Sequence, residues 1–319
     1  MRWRPWRAVM LAVLSALAGC ATPEVAALRA DGGGLPPRAE VAGVPFHPQQ
    51  EQYCGPAALA TVLGWSGLPA RQDAIASAVF TPGREGTLGH DLVGAAGRHG
   101  RLAVPVADLP SLLREVAAGH PVLVLQNLGL HWYPQWHYAV VVGYDLAAGE
   151  LALRSGEERR RIVSLDTFAR TWARADRWAI VVLPPDALPA SAAEETLVRA
   201  AAGLERAGRA GEAALAYDTI LHRWPGSLGA LIGRGNARYA TGDLDGAEAA
   251  YRSALVRHPG AAVVWNNLAD VLAARGERDA ALIAARRAVD LGGPHAATYR
   301  RTLDQISGAR VPAAPAGSA

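Results

Sequence analysis

The chain has no lysine, two cysteines, two methionines and three phenylalanines among its 319 residues. Missing lysine beside very abundant alanine reflects a GC-rich genome, not a function. Two cysteines are too few for a disulfide framework or a thiolate cluster. No histidine pair shows the i, i+4 spacing of a helical metal site, so no metal is expected. The sequence has no Gly-x-Ser-x-Gly elbow, and its nearest stretch, Gly64 Trp65 Ser66 Gly67, is misspaced and closes a helix. Gly32 to Gly34 precede no unit that would cradle a phosphate, and no cofactor is expected. Charge also excludes a partner class. The formal net charge of +3 includes Arg2, Arg4 and Arg7, and without them the balance is zero, so no nucleic-acid partner is expected.

Those three arginines open a basic n-region, followed by an apolar stretch, Ala8 to Leu17, too short to span a bilayer. Leu17 Ala18 Gly19 Cys20 closes it with small residues. This resembles a bacterial lipoprotein signal, the alternative being an ordinary signal peptide with an incidental cysteine. The resemblance implies a signal peptide over 1–19, cleavage before Cys20 and acylation of that residue. The protein would then be lipid-anchored in the bacterial cell envelope. With no aspartate after Cys20, analogy with lipoprotein sorting points to the outer membrane, facing the periplasm.

If Cys20 carries lipid, Cys54 has no partner within the chain. A free thiol in an oxidising envelope is a liability unless it is used. Cys54 begins the run Cys54 Gly55 Pro56 Ala57 Ala58 Leu59, which continues to Val62 and Leu63 and reads as a buried helix with proline in its first turn. A cysteine at a helix N-terminus is expected to have a lowered pKa, because the macrodipole favours the thiolate. The plainer alternative is a small buried hydrophobe.

Residues 20–40 contain Asp31 Gly32 Gly33 Gly34 Leu35 Pro36 Pro37 and read as a tether. A first domain follows over 41–183. Its early part has helical periodicity at 54–64, 71–79, 88–99 and 109–118. Its later part changes to short β-rich runs at 121–125, 138–142, 150–154, 160–163 and 178–183, interrupted by one helix at 166–174. Helices first and a mostly antiparallel sheet afterwards make an α+β domain. His137 opens the second strand, where an imidazole can take a thiol proton. His131, His47, His90, His99 and His120 are competitors in the same domain.

Val44 Pro45 Phe46 with Gln49, then Cys54 Gly55 Pro56 Ala57 Ala58, and later His137 Tyr138 leading a valine strand, resemble the papain-like cysteine peptidases that process bacteriocin leaders at double-glycine sites. The likeness is greatest to the stand-alone envelope branch of that group and covers residues 41–183. It implies Cys54 as nucleophile, His137 as its base, and Gln49 as an oxyanion donor beside the Cys54 N–H, with Gln50 and Gln52 as alternatives. A peptide or protein would be the substrate.

The family places Asp-Pro on the strand after the histidine strand. This sequence has Leu153 Arg154 Ser155 Gly156 Glu157 there. Ser155 is therefore the candidate to orient His137, with Asn127 and Asp145 as alternatives. The departure leaves a second reading open, a scaffold that binds peptide without cleaving it.

Pro184 Pro185 and Pro189 fall in a linker over 184–193. Beyond it Gly208, Gly242 and Gly276 recur every 34 residues, as do Ala213, Ala247 and Ala281. Pro225 and Pro259 share the period, and so do Tyr217 and Tyr251; Ala285 and Gly293 replace them in the third copy. This resembles the tetratricopeptide repeat, an all-α solenoid of helix pairs, here over 194–307 with a capping helix. The resemblance implies a protein partner. Asn266 and Asn267 are expected on the surface, facing a ligand or solvent. Residues 308–319 read as a disordered tail.

Overall fold

The structure, a computed structural model, describes residues 22–48, 53–69, 71–79 and 87–308. The signal segment, Cys20, Gln49, Gln50, Gln52 and residues 309–319 lie outside them. The chain divides into two compact units, the first carrying a sheet up to Leu183 and the second running in helices from Ala193.

The first unit begins inside the segment expected to be a tether. Residues 22–40 are built into the domain: α1 (Pro23–Asp31) buries Val25 and Leu28, and β1 (Arg38–Glu40) pairs with the later strand β4. The glycines mislead here because Gly32 serves as the left-handed C-cap of α1, at φ +67°, and does not loosen the chain. Thr22 N donates to Asp166 Oδ1 at 3.0 Å, and Arg29 pairs with the same carboxylate at 3.0 Å.

Helix α2 (Cys54–Trp65) follows, with every residue from Gly55 to Leu63 buried. A helix apolar all round belongs in a core, and α2 packs chiefly on β4. Next come α3 (Gln72–Val79), α4 (Gly89–Arg98), β2 (Leu102–Pro105) and α5 (Leu109–Ala117). Asp108 caps α5 by accepting from Ser111 N at 2.7 Å. The sheet is completed by β3 (Val122–Asn127), β4 (Trp136–Asp145), β5 (Glu150–Ser155), β6 (Glu158–Ser164) and β7 (Ala179–Leu183), with α6 (Leu165–Ala173) before β7. Strand order is β2-β7-β3-β4-β5-β6, with β1 also paired to β4. The β3, β4, β5 and β6 ladders are antiparallel. This is an α+β domain.

In the second unit the helices are α7 (Glu194–Arg206), α8 (Ala210–Arg223), α9 (Leu228–Ala240), α10 (Leu244–Arg257), α11 (Ala262–Ala274), α12 (Arg278–Leu291) and α13 (Ala296–Ser307). Each recurring glycine turns one helix into the next with a positive φ: +72° at Gly208 and +82° at Gly242 and Gly276. Tyr217 and Tyr251 fill the seams between helices. Their rings lie where side chains on Gly233 and Gly235 would project, so α9 approaches closely only because those positions are bare.

Candidate active site

Cys54 is the first residue of α2, half-buried, and the Tyr53 side chain does not cap the helix. The backbone N–H groups of Tyr138, Gly55 and Cys54 itself favour the charged form of its thiol. The Tyr138 N–H belongs to the peptide that joins it to His137. The thiol therefore meets β4 at the start of the strand, beside the His137–Tyr138 peptide.

The Tyr138 ring sets this approach. Its hydroxyl donates to Thr87 O at 3.1 Å, and the ring meets Trp178 edge-on at 5.5 Å. A Cβ on Gly55 would lie 3.0 Å from Thr87 Cβ and 3.3 Å from Tyr138 Cδ2, and one on Gly89 would lie 2.5 Å from Trp178. Gly55 therefore lets α2 close on β4, and Gly89 lets α4 close on Trp178.

His137 is in register with Gln126, which donates to Thr171 Oγ1 of α6 at 2.7 Å. Its Nε2 is 2.8 Å from Ser155 Oγ, and Ser155 is buried. The other proposed partners are placed elsewhere. Asn127 Oδ1 accepts from Gly129 N and Gln135 N within the β3–β4 hairpin. Asp145 sits at the far end of β4, paired with Arg38 at 2.7 Å. Among the competing histidines, His120 Nδ1 lies 2.8 Å from the buried carboxylate of Glu115, and His131 is exposed on the hairpin.

The electrostatics correct one expectation. Burial pushes the Cys54 thiol up, and this outweighs the backbone N–H groups that favour thiolate. Burial, and then the positive charge of Arg161 on β6, pulls the His137 imidazole below its ordinary 6.5. Both groups are uncharged at rest near neutral pH. The helix N-terminus does not hold a standing thiolate, because desolvation wins.

Arg161 and the Tyr138 amide escaped sequence reasoning. Both depend on register: Arg161, on β6, pairs with Leu153 of β5, the strand that carries Ser155. Arg154 donates to Arg159 O at 2.5 Å and to Val44 O at 3.4 Å, tying β5 to the segment that leads toward Gln49. In the second unit, Asn266 is buried, contrary to expectation. Asn267 donates to Asn236 Oδ1 at 3.1 Å, which also accepts from Tyr251 Oη at 2.6 Å.

Residues 41–180 match the model of the Peptidase C39 like family. This part of the chain is a C39-like peptidase domain. Residues 198–262 and 232–296 match the tetratricopeptide repeat, so the second unit is a repeat domain. A Bacillus anthracis crystal structure described as a C39-like peptidase is 18% identical, covering 46% of this chain and 97% of that one, with a TM-score of 0.41. The repeats are similar to the Yersinia enterocolitica type III secretion chaperone SycD in complex with a peptide of the translocator YopD. That match is 20% identical over 35% of this chain and 91% of that one, with a TM-score of 0.34. They are also similar to the TPR2B domain of yeast Sti1 in complex with pHsp70, 18% identical over 37% and 98%, with a TM-score of 0.35. No curated protein matches the chain.

Proposed function

We propose that the C39-like domain is a cysteine peptidase in which Cys54 attacks a peptide carbonyl and His137 moves the proton. The observation that carries this reading is an imidazole hydrogen-bonded to buried Ser155 at 2.8 Å, on the strand against which the Cys54 helix packs. With Nε2 turned to the hydroxyl, Nδ1 takes the thiol proton as sulfur bonds to the carbonyl carbon. The oxyanion is met by the Cys54 N–H and, in this reading, by Gln49. The imidazolium then protonates the leaving amine, and water hydrolyses the thioester. Because both partners are neutral at rest, proton transfer accompanies attack.

The same reading gives the rest of the chain its roles. Cys20 carries the lipid that holds the protein to the envelope, at the outer membrane facing the periplasm. The repeats recruit a protein partner, as their fold commonly does. One observation favours a second reading, a peptide-binding scaffold without turnover. The imidazole is held by a hydroxyl where a carboxylate would stabilise its charged form.

The test is hydrolysis of peptides carrying Gly-Gly before the scissile bond, followed by mass spectrometry. Cleavage should vanish in Cys54→Ala and fall at least about a hundredfold in His137→Ala. Peptide binding with no cleavage by the parent protein would establish the scaffold reading instead.

A further inference from the structure

The β3–β4 hairpin exposes five large apolar side chains within nine residues: Leu128 (42%), Leu130 (54%), Trp132 (79%), Tyr133 (67%) and Trp136 (56%). Other exposed apolar residues are scattered, which is ordinary; a contiguous cluster is not. Between Glu115 and Asp145 the sequence contains no Asp, Glu, Lys or Arg, in a chain that has 32 arginines.

The hairpin is firmly built. Leu128 N donates to Gln135 O at 2.8 Å, and Leu130 and Tyr133 exchange backbone hydrogen bonds. Buried Asn127 accepts from Gly129 N and Gln135 N, each at 3.0 Å, while Arg174 Nη2 donates to Asn127 O at 2.9 Å. Gly129 is required: a Cβ there would lie 2.4 Å from Tyr133 O. The fold thus fixes these side chains outward, in one place, without using them in the core.

The chain's route says what surface they meet. Cys20 precedes Thr22 by two residues, and Thr22 is bonded to Asp166 in the first turn of α6. Two residues span at most about 7 Å, and nine-residue α6 is about 13.5 Å long. Arg174, which holds the hairpin's base, lies at the other end of α6. A bilayer holding acyl chains on Cys20 would therefore lie within about 20 Å of that base. Uncharged Trp and Tyr side chains, with apolar rings and a polar edge, have the chemistry of the membrane–water interface.

We propose that the β3–β4 hairpin seats in the interface of the phospholipid bilayer that anchors the protein, with Trp132 and Tyr133 at the headgroup level. The proposal rests on the lipid-anchor reading of Cys20. Trp136 directly precedes His137, so the seated hairpin places the candidate active site at the membrane surface, where membrane-proximal peptides would be its substrates.

The test uses the full chain purified from bacterial membranes and reconstituted in phosphatidylcholine vesicles, with and without bromine on the acyl chains. Brominated lipid should quench a tryptophan component that is lost in Trp132→Phe and Trp136→Phe, variants that keep an aromatic ring. Equal quenching of parent and variants overturns the proposal. So does a variant that raises KM for peptide while leaving lipid quenching unchanged, because the hairpin then belongs to the substrate. The mass of the N-terminal peptide reports acylation of Cys20 separately. Acylated protein without hairpin quenching sinks the hairpin alone. Unacylated protein whose hairpin is still quenched by added vesicles sinks the anchor reading and supports the hairpin.

Discussion

His137 Nε2 and Ser155 Oγ lie 2.8 Å apart between β4 and β5, so a buried neutral hydroxyl holds the ring on which the proposed chemistry turns. Such a group can fix the imidazole's orientation but adds no charge to stabilise imidazolium. Ser155→Asp supplies that charge. A carboxylate at hydrogen-bond distance raises the imidazole pKa by at least about one unit, or about 1.4 kcal/mol. The acid limb of peptide hydrolysis should move up by that much, whereas Ser155→Ala should lower turnover about tenfold. An unmoved pH profile in Ser155→Asp would remove Ser155 from its positioning role.

Glu115 is wholly buried, yet its pKa is lowered: His120, Ser191 and the backbone N–H groups of Ala190 and Ser191 act against the burial that would raise it. Ser191 N lies 2.7 Å and Ala190 N 3.0 Å from the carboxylate, which clasps this stretch of the linker to the end of α5. Replacing it by Gln sets an amide among donors and should cost about 3 kcal/mol in denaturant unfolding. The stabilisation is present above the ordinary carboxylate pKa of 4.5 and is lost as pH falls through the lowered folded value. Glu115→Gln should lack that acid dependence.

The repeat glycines are needed for two different reasons, and substitution separates them. At Gly276 a Cβ meets nothing within 4 Å, but φ is +82°, so Gly276→Ala should cost about 1 kcal/mol through backbone strain alone. At Gly233 a Cβ would lie 2.1 Å from Tyr217 Cζ. Gly233→Ala must displace a buried ring and should cost about 2–3 kcal/mol. Thermal unfolding followed by helical circular dichroism ranks the two, and equal costs would contradict the packing account.

Helix α2 and the repeats were legible in the sequence because their signals are periodic and long. Ser155 was legible through the family resemblance, because the strand where the family has Asp-Pro could be counted from the histidine strand. β1 and β2, of three and four residues, carry no alternation to read. α1 was hidden by its own cap: the glycines that end it look like a loose tether, and only the burial of Val25 and Leu28 reveals a helix. The charge state of the thiol was misjudged because a helix N-terminus is visible in sequence and desolvation is not. Arg161 was missed because neither strand register nor a field across two strands follows from spacing.

Arg161 makes the last expectation quantitative in sign. Its positive charge disfavours a second positive charge on His137, in the same direction as burial, so the imidazole stays neutral below its ordinary 6.5. As a general base it remains competent there, and hydrolysis should persist at mildly acid pH. Arg161→Gln removes the repulsion, raises the imidazole pKa and moves the acid limb to higher pH. Arg161 is 46% exposed, so salt should screen its effect. Added salt should therefore shift the limb upward in the parent protein and leave Arg161→Gln unmoved. Folding stability follows the same sign: the unfolded chain takes up this proton at 6.5 and the folded one resists, so stability falls as pH drops from 6.5 toward the folded value. A limb that moves down in Arg161→Gln, or that responds to salt equally in both proteins, would mean that Arg161 does not act on His137.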